Sequence, residues 1–322
     1  MPRDEAAFLA DLAPVGFILF ARNVESPEQI RRLTGDLRDA VGWAAPIFID
    51  QEGGRVQRLR APHWREWLPP LDHVARAGPG QAARAMYLRS FLIAREHRAL
   101  GIDGNCAPSA DIARAETHPF LRNRCYGETA GAVTGIARAV AEGLADAGVF
   151  PVLKHIPGHG RATLDSHHAL PRVRAGREVL EAEDFAPFRA LNDLAWGMSA
   201  HLVFAAVDAD IPATLSPSVI RLIREEIGFD GVLMTDDLSM NALPGGIGQR
   251  AARARAAGCD VILHCNGAPA EMAAVAEAAG ALDPAAAARL ARALGSRRAP
   301  VDLDAAEVLA ELGTIVGPDA VR

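Results

Sequence analysis

Val149-Phe150-Pro151-Val152-Leu153, running directly into Lys154-His155-Ile156-Pro157-Gly158-His159-Gly160, is the stretch from which the rest of the chain can be read. Its apolar first half, bounded by Gly148, has the length of a buried strand. The polar half starts where that strand should end and continues through Arg161, Ala162, Thr163 and Leu164 to Asp165-Ser166-His167-His168. Four histidines, a lysine and an aspartate crowd these fifteen positions, and each needs water or a partner. Pro157, Gly158 and Gly160 exclude a helix and mark a loop. A solvated histidine-rich loop and a metal site built on His155, His159, His167 and His168 are two readings of it. Against metal stand the missing H-E-x-x-H pattern, the lack of cysteine in the loop and glycines that forbid helical presentation. No metal ligand is therefore assigned.

Working outward, the same unit of apolar strand followed by polar residues recurs. Strands are expected at about 15–20, 46–49, 102–107, 149–154, 196–201, 231–235 and 260–264. Helices fall between them: 4–12, one opened by Ser26-Pro27, 81–100, 129–147, 184–194, one opened by Ser216-Pro217, and 249–257. In the second of these, Ile30, Leu33, Leu37 and Val41 make one apolar face, as a helix covering a sheet requires. Alternation of this kind implies parallel strands with right-handed crossovers. An open doubly wound sheet and a closed barrel both satisfy it. The barrel is favoured because Asp50, Lys154, His201, Asp236 and Asn266 each follow a strand, the way barrel sites are assembled, and no glycine-rich fingerprint follows the first strand. The expected fold class is thus α/β, a single-domain (β/α)8 TIM barrel spanning 1–322, with its core over about 6–270 and C-terminal helices over 271–322. Seven strands leave the barrel one short. The first strand is expected to be missing or truncated at the N-terminus, before Ala6.

Half of the 322 residues are hydrophobic and 23% are charged, enough for a substantial core. A net charge of −6 with only 5% aromatics argues against nucleic acid as a partner. Cys106, Cys125, Cys259 and Cys265 form no CxxC pair, which favours a reducing compartment over a disulfide framework. Met1-Pro2-Arg3-Asp4-Glu5 does not open a signal peptide, and no uncharged apolar run reaches membrane-spanning length. A cytoplasmic protein without a membrane partner is expected.

A second pole of chemistry is Asp236-Asp237, after Gly231-Val232-Leu233-Met234-Thr235. Adjacent side chains on an extended segment point to opposite sides, so one carboxylate faces the barrel mouth, unless both cap the next helix or turn. Periodicity leaves the choice open. Asp165 and His167, one residue apart, share a side if extended, and the carboxylate can then hold the imidazole tautomer and support its charged form. An acid/base whose unperturbed pKa is ~6.5 would result.

Three motifs, Lys154-His155-Ile156-Pro157-Gly158-His159-Gly160 with Asp165-Ser166-His167, Asp50-Gln51-Glu52-Gly53-Gly54-Arg55-Val56-Gln57-Arg58, and Thr235-Asp236-Asp237-Leu238-Ser239-Met240, resemble glycoside hydrolase family 3. The likeness runs from about Phe17 to Asn266 and is greatest to the bacterial single-domain β-N-acetylglucosaminidases of peptidoglycan recycling. Ile156 stands where phenylalanine is commoner, and Cys125 where serine usually follows the arginine. The resemblance implies a retaining exo-enzyme that releases N-acetylglucosamine from the saccharide GlcNAc-1,6-anhydro-MurNAc, with or without stem peptide, using no metal or organic cofactor. It implies Asp236 as nucleophile and His167, paired with Asp165, as acid/base. It also implies Asp50, Arg58, Arg124, Lys154 and His155 as the residues that bind sugar hydroxyls. Two other functions are compatible with the residues: a metal-dependent hydrolase using the histidine loop, and a catalytically silent sugar-binding barrel.

Overall fold

The computed structural model describes residues 1–164, 170–266 and 268–320. The chain divides into two compact units, Met1–Pro108 with Arg138–Pro151 and Arg297–Arg322, and Ser109–Ala137 with Val152–Ser296.

In the first unit, β1 (Phe17–Leu19) pairs in parallel with β2 (Ile47–Ile49), Phe17 opposite Ile47 and Leu19 opposite Ile49. Directly after β2, the short strands β3 (Gln51–Gly53) and β4 (Val56–Gln57) fold back on each other as an antiparallel ladder. On its other edge β2 pairs with β5 (Gly104–Asn105), and β5 pairs with Phe150 and Pro151 at the start of β6 (Phe150–Ile156), both in parallel. The crossover from β1 to β2 is the helix Pro27–Val41. As its sequence requires, the Ser26 side chain accepts from the Gln29 N–H at 3.2 Å, Pro27 takes the first helical position and Gly42 closes the helix in the left-handed region. Ile30 and Leu37 on its inner face are buried, each contributing roughly 1.5–3 kcal/mol.

The strand expected over 102–107 is regular over two residues only, and polar side chains add to its backbone bonds, Asp103 N to Ile47 O at 2.7 Å and Cys106 N to Ile49 O at 2.9 Å. Asp103 Oδ2 accepts from Ile47 N at 2.9 Å, and the Asn105 amide accepts from Gln51 N at 3.0 Å while donating to Gln51 O at 3.1 Å. Arg38 and Arg297 then neutralise Asp103, at 2.6 and 2.7 Å. From the C-terminal segment, the helix Ala305–Val316 adds the Arg84–Glu311 bridge at 2.6 Å.

Two histidines of this unit carry a stability consequence. His73, in the helix Pro70–Ala77, and His97, in the helix Ala82–Ala99, are fully buried, and neither ring nitrogen of either has a hydrogen-bond partner. Burial pushes the pKa of His73 down to about 2, with Arg89 and Arg76 adding to it, and that of His97 down to about 3. Both are neutral in the fold, so below about pH 6.5 the unfolded chain binds the extra protons and stability falls as pH falls. Between pH 7 and pH 5 each should remove about 2 kcal/mol of unfolding free energy. Denaturant titrations at the two pH values measure this, and His97→Leu should flatten the slope. An unchanged slope in the variant would refute the assignment.

In the second unit four further strands occur: β7 (Arg172–Val173), β8 (Trp196–Ser199), β9 (Val203–Phe204) and β10 (Val232–Met234). Val152 of β6 lies opposite Trp196 of β8, which lies opposite Val232 of β10, all in parallel, while β7 and β9 make a separate parallel pair. The expected strand over 260–264 is reduced to one bridge between Met234 and Val261. Here too side chains join the backbone bonds: Asp260 Oδ2 accepts from Leu233 N at 2.9 Å, and Thr235 Oγ1 accepts from Leu263 N at 2.9 Å. The expected helix over 184–194 is regular only across Ala186–Ala190, behind the wider turn Leu180–Asp184. Ser216-Pro217 opens a helix as expected, the Ser216 hydroxyl accepting from Val219 N at 3.2 Å. Among the described residues no helix is long and apolar enough to cross a membrane.

Candidate active site

Within the second unit the polar residues that follow the parallel strands are brought together. Lys154 and His155 are the last polar residues of β6 and are buried, at 1% and 4% exposure. Burying a lysine and a histidine at the end of an apolar strand requires compensating carboxylates. One is Asp111, also buried. Its Oδ2 lies 2.7 Å from His155 Nδ1 and accepts from the Ser109 hydroxyl at 3.1 Å, and its Oδ1 accepts from His159 N at 2.6 Å. Burial works to raise the pKa of the Asp111 carboxyl, but the field and hydrogen bond of the neighbouring His155, with His159, outweigh it and bring it down to about 2. On the other side of the ring, Arg124 Nη2 is 3.4 Å from His155 Nε2. An arginine can only donate, so His155 carries its proton on Nδ1 and presents a lone pair at Nε2. Arg124 itself lies over the Phe120 ring at 5.4 Å.

The second carboxylate is Asp236, half-buried in the turn after β10. Burial alone would raise its pKa, but His201, His155, the Asp237 backbone N–H and Lys154 together hold it at about 2. It is ionised across the whole working range. Its neighbour takes a different part. Asp237 Oδ1 accepts from Ser239 N and Cys265 N, both at 3.0 Å, and Oδ2 accepts from the Ser239 hydroxyl at 2.5 Å and Asn266 Nδ2 at 3.1 Å. The two carboxylates that periodicity could not separate therefore have distinct surroundings: Asp237 clasps the turn, and Asp236 faces cationic and imidazole groups.

The described beginning of the histidine loop is tied to the 111–118 segment. A Cβ on Gly160 would stand 2.1 Å from Ile112 O, so only glycine fits there, and Thr117 Oγ1 donates to Gly160 O at 2.5 Å. Arg161 pairs with Glu183 and Asp184, each at 2.6 Å, and Arg114 joins the same two carboxylates at 2.6 and 3.4 Å. His159 is neutral: burial and the neighbouring His155 lower its pKa to about 4. Asp165 and His167 lie outside the described residues. Asp50 and Arg58 belong to the first unit, where they pair at 3.1 Å and Arg58 covers the Phe20 ring at 5.2 Å. Gln51 Oε1 fixes that turn by accepting from Arg58 N and Leu59 N at 2.9 and 3.0 Å.

Sequence reasoning passed over two residues that the structure draws in, Asp111 and Thr214, and gave His201 no role beyond that of a polar residue after a strand. Asp111 comes after the Asn105 strand, and the rule that polar residues after strands build the site would have included it. Thr214 had no sequence signal. Among the described residues no group of three or more His, Cys, Asp or Glu side chains is placed to hold a metal ion, and all four cysteines are buried and unlinked.

Parallel strands that deliver an ionised carboxylate, an ammonium, a guanidinium and oriented imidazoles to one place define an α/β enzyme equipped for hydroxyl-rich substrates. The chain belongs to glycoside hydrolase family 3, residues 1–294 matching the glycosyl hydrolase family 3 N terminal domain, and within it to the β-N-acetylhexosaminidases. A β-hexosaminidase of Alkalilimnicola ehrlichii is 40% identical over 257 residues, covering 78% of this chain and 73% of that protein. NagZ of Neisseria gonorrhoeae superposes with a TM-score of 0.84 at 32% identity, over 99% of this chain and 94% of its own. A second structure of that protein, TM-score 0.85 at 31% identity over 99% of this chain and 94% of its own, holds N-trifluoroacetyl-D-glucosamine. A family 3 β-N-acetylglucosaminidase from Paenibacillus matches with a TM-score of 0.82 at 34% identity over 94% of this chain, which spans 62% of that longer one.

Proposed function

We propose that the protein is a cytoplasmic, retaining exo-β-N-acetylglucosaminidase that releases N-acetylglucosamine from GlcNAc-1,6-anhydro-MurNAc fragments, with or without peptide, in peptidoglycan recycling. The observation that carries the mechanism is the place of the Asp236 carboxylate, in the turn after β10 with Oδ1 held by the Asp237 N–H at 2.8 Å, beside His201, His155 and Lys154. In the first step an Asp236 oxygen attacks the anomeric carbon, the bond from that carbon to the bridging oxygen breaks, and His167 as imidazolium delivers its proton to the departing oxygen. In the second step water attacks the same carbon, its proton passes to neutral His167, and Asp236 leaves as the carboxylate. Asp165 orients His167 and supports its charge. Two inversions return the original anomeric configuration.

Arg124, Lys154 and His155 bind sugar oxygens in this reading, and Asp50 and Arg58 are assigned to the same task from their motif. Lys154 and Arg124 supply charge-assisted donors, and His155 stands beside them with its Nε2 lone pair toward the Arg124 guanidinium, which it orients. The gonococcal relative's complex with an N-acylglucosamine analogue supports a glucosamine substrate. A single catalytic (β/α)8 barrel over 1–322 belongs to the same proposal, supported by similarity to that relative over 99% of the chain.

The test is trapping with a 2-deoxy-2-fluoro glycoside followed by peptide mass analysis, alongside product analysis from GlcNAc-1,6-anhydro-MurNAc with and without phosphate. An adduct on the Asp236 peptide and N-acetylglucosamine released first as the β-anomer are expected. An adduct on another residue, or first release of the α-anomer, would defeat the mechanism. A sugar phosphate as the main product would replace water as the second-step acceptor.

A further inference from the structure

We propose that His201 is a positioning residue for the nucleophile, fixing where the Asp236 carboxylate stands through the backbone of Asp237; this rests on the assignment of Asp236 given above. His201 is completely buried, two residues beyond the end of β8. Its Nε2 lies 3.0 Å from the Asp237 carbonyl oxygen and its Nδ1 2.8 Å from Thr214 Oγ1. A carbonyl only accepts, so Nε2 carries a proton. Burial lowers the pKa of His201, and in the neutral ring Nδ1 then accepts from the Thr214 hydroxyl. The Ala200 carbonyl, 3.0 Å from the same hydroxyl, competes for that proton, but a neutral ring already donating from Nε2 needs it at Nδ1. Ser199 Oγ, 2.8 Å from Thr214 Oγ1, completes the chain by donating to it. The hydroxyls thus select the tautomer that can hold Asp237.

Asp237 is pinned on both sides of its Cα. Its carbonyl receives the His201 proton, and its N–H donates to Asp236 Oδ1 at 2.8 Å. That anchors one carboxylate oxygen and leaves Oδ2 for attack. Thr235 and Leu238 tie the same turn to the 261–263 segment through Val261 O and Leu263 O, and among the described contacts His201 is what holds it from the β8 side. Attack needs an oxygen about 3–3.5 Å from the anomeric carbon and aligned with the breaking bond, and a displacement of about 1 Å can cost roughly 10²-fold in rate. A leucine would fill the space of the ring but leave the Asp237 carbonyl held only by the Met240 N–H, at 3.2 Å from within the same turn.

The experiment compares wild type, His201→Leu, His201→Gln, Thr214→Val and Thr214→Ser in the full chain. The readouts are the rate of covalent labelling of Asp236 by a saturating 2-deoxy-2-fluoro glycoside, the Kd for N-acetylglucosamine, and Tm. His201→Leu should label roughly 10²-fold more slowly while the Kd stays within about threefold. Glutamine places an amide N–H where Nε2 stands and should recover most of the rate. Thr214→Val should slow labelling, and Thr214→Ser, which keeps the hydroxyl, should restore most of what valine loses. Labelling of His201→Leu at the wild-type rate, parallel loss of labelling and N-acetylglucosamine binding, or glutamine no better than leucine would overturn the proposal. If His201→Leu fails to fold, the Thr214 pair decides, equal rates for valine and serine overturning it. A wild type labelled elsewhere than Asp236 overturns the nucleophile assignment itself, a result distinct from all of these.

Discussion

Asp236→Asn is expected to lower kcat/KM for an aryl N-acetylglucosaminide by on the order of 10⁴-fold or more, the scale of loss when a covalent nucleophile is removed. Asparagine keeps the shape and can still accept from the Asp237 N–H, which lies 2.8 Å from Asp236 Oδ1, so the turn should survive. What is lost is the charge that attacks. Asp236→Ala goes further by opening space, and azide supplied in solution should then restore turnover and yield the α-glycosyl azide, because one inversion replaces two. The pKa of Asp236 is held at about 2, so it stays ionised far below neutrality and the acid limb of the wild-type kcat/KM profile must belong to another group. Kinetics and product configuration for the two variants measure all of this. An Asp236→Asn enzyme within tenfold of wild type, or a β-configured azide product, would remove Asp236 from the chemistry.

Carboxylates also show how far the sequence could be read. Helix starts and stops were legible because they depend on local chemistry: Ser26-Pro27 and Ser216-Pro217 cap their helices as written, and Gly42 ends the first of them. That the strands run parallel could be anticipated from alternation, because parallel strands need crossovers. Strand extent could not. At 102–107 and 260–264 the apolar pattern is present, yet Asp103, Asn105, Thr235 and Asp260 turn their side chains onto backbone groups of the neighbouring strand. Hydrophobic periodicity records which residues avoid water. It does not record where a carboxylate or amide bonds to the backbone of a neighbouring strand.

The same blindness separated the legible from the hidden part of the site. Lys154, His155 and Asp236 were found because each sits directly behind an apolar run, and the motif resemblance then chose Asp236 over Asp237. The structure gives a physical distinction between the two, since Asp237 is engaged by Ser239, Cys265 and Asn266. His201 was noticed as a polar strand end, but its role depends on Thr214, thirteen residues away in sequence and linked to it only by folding. A hydroxyl that selects an imidazole tautomer leaves no pattern in a single sequence.

Asp111 is where the strongest loss of both stability and activity should follow from a residue that touches no substrate. Three donors converge on it, His155 Nδ1, His159 N and the Ser109 hydroxyl, at 2.7, 2.6 and 3.1 Å. Asp111→Ala would leave them buried without an acceptor, and breaking a buried charged pair from one side costs about 3–5 kcal/mol. A large fall in Tm is expected. Asp111→Asn separates the electrostatic part from the packing. Its amide nitrogen donates where the carboxylate accepted, which drives the His155 proton from Nδ1 to Nε2. That N–H would then point at Arg124 Nη2, 3.4 Å away, donor against donor, and the acceptor that orients the guanidinium would be gone. Reversal of a tautomer by the same substitution beside a catalytic histidine lowers turnover by about 10⁴-fold in the serine protease case. Here the histidine binds instead of transferring the proton, so a fall in kcat/KM on the order of 10²-fold is expected, with Tm reduced less than in Asp111→Ala. Thermal unfolding and steady-state kinetics on both variants test it. An Asp111→Asn enzyme with wild-type kcat/KM would show that the His155 tautomer does not matter to substrate.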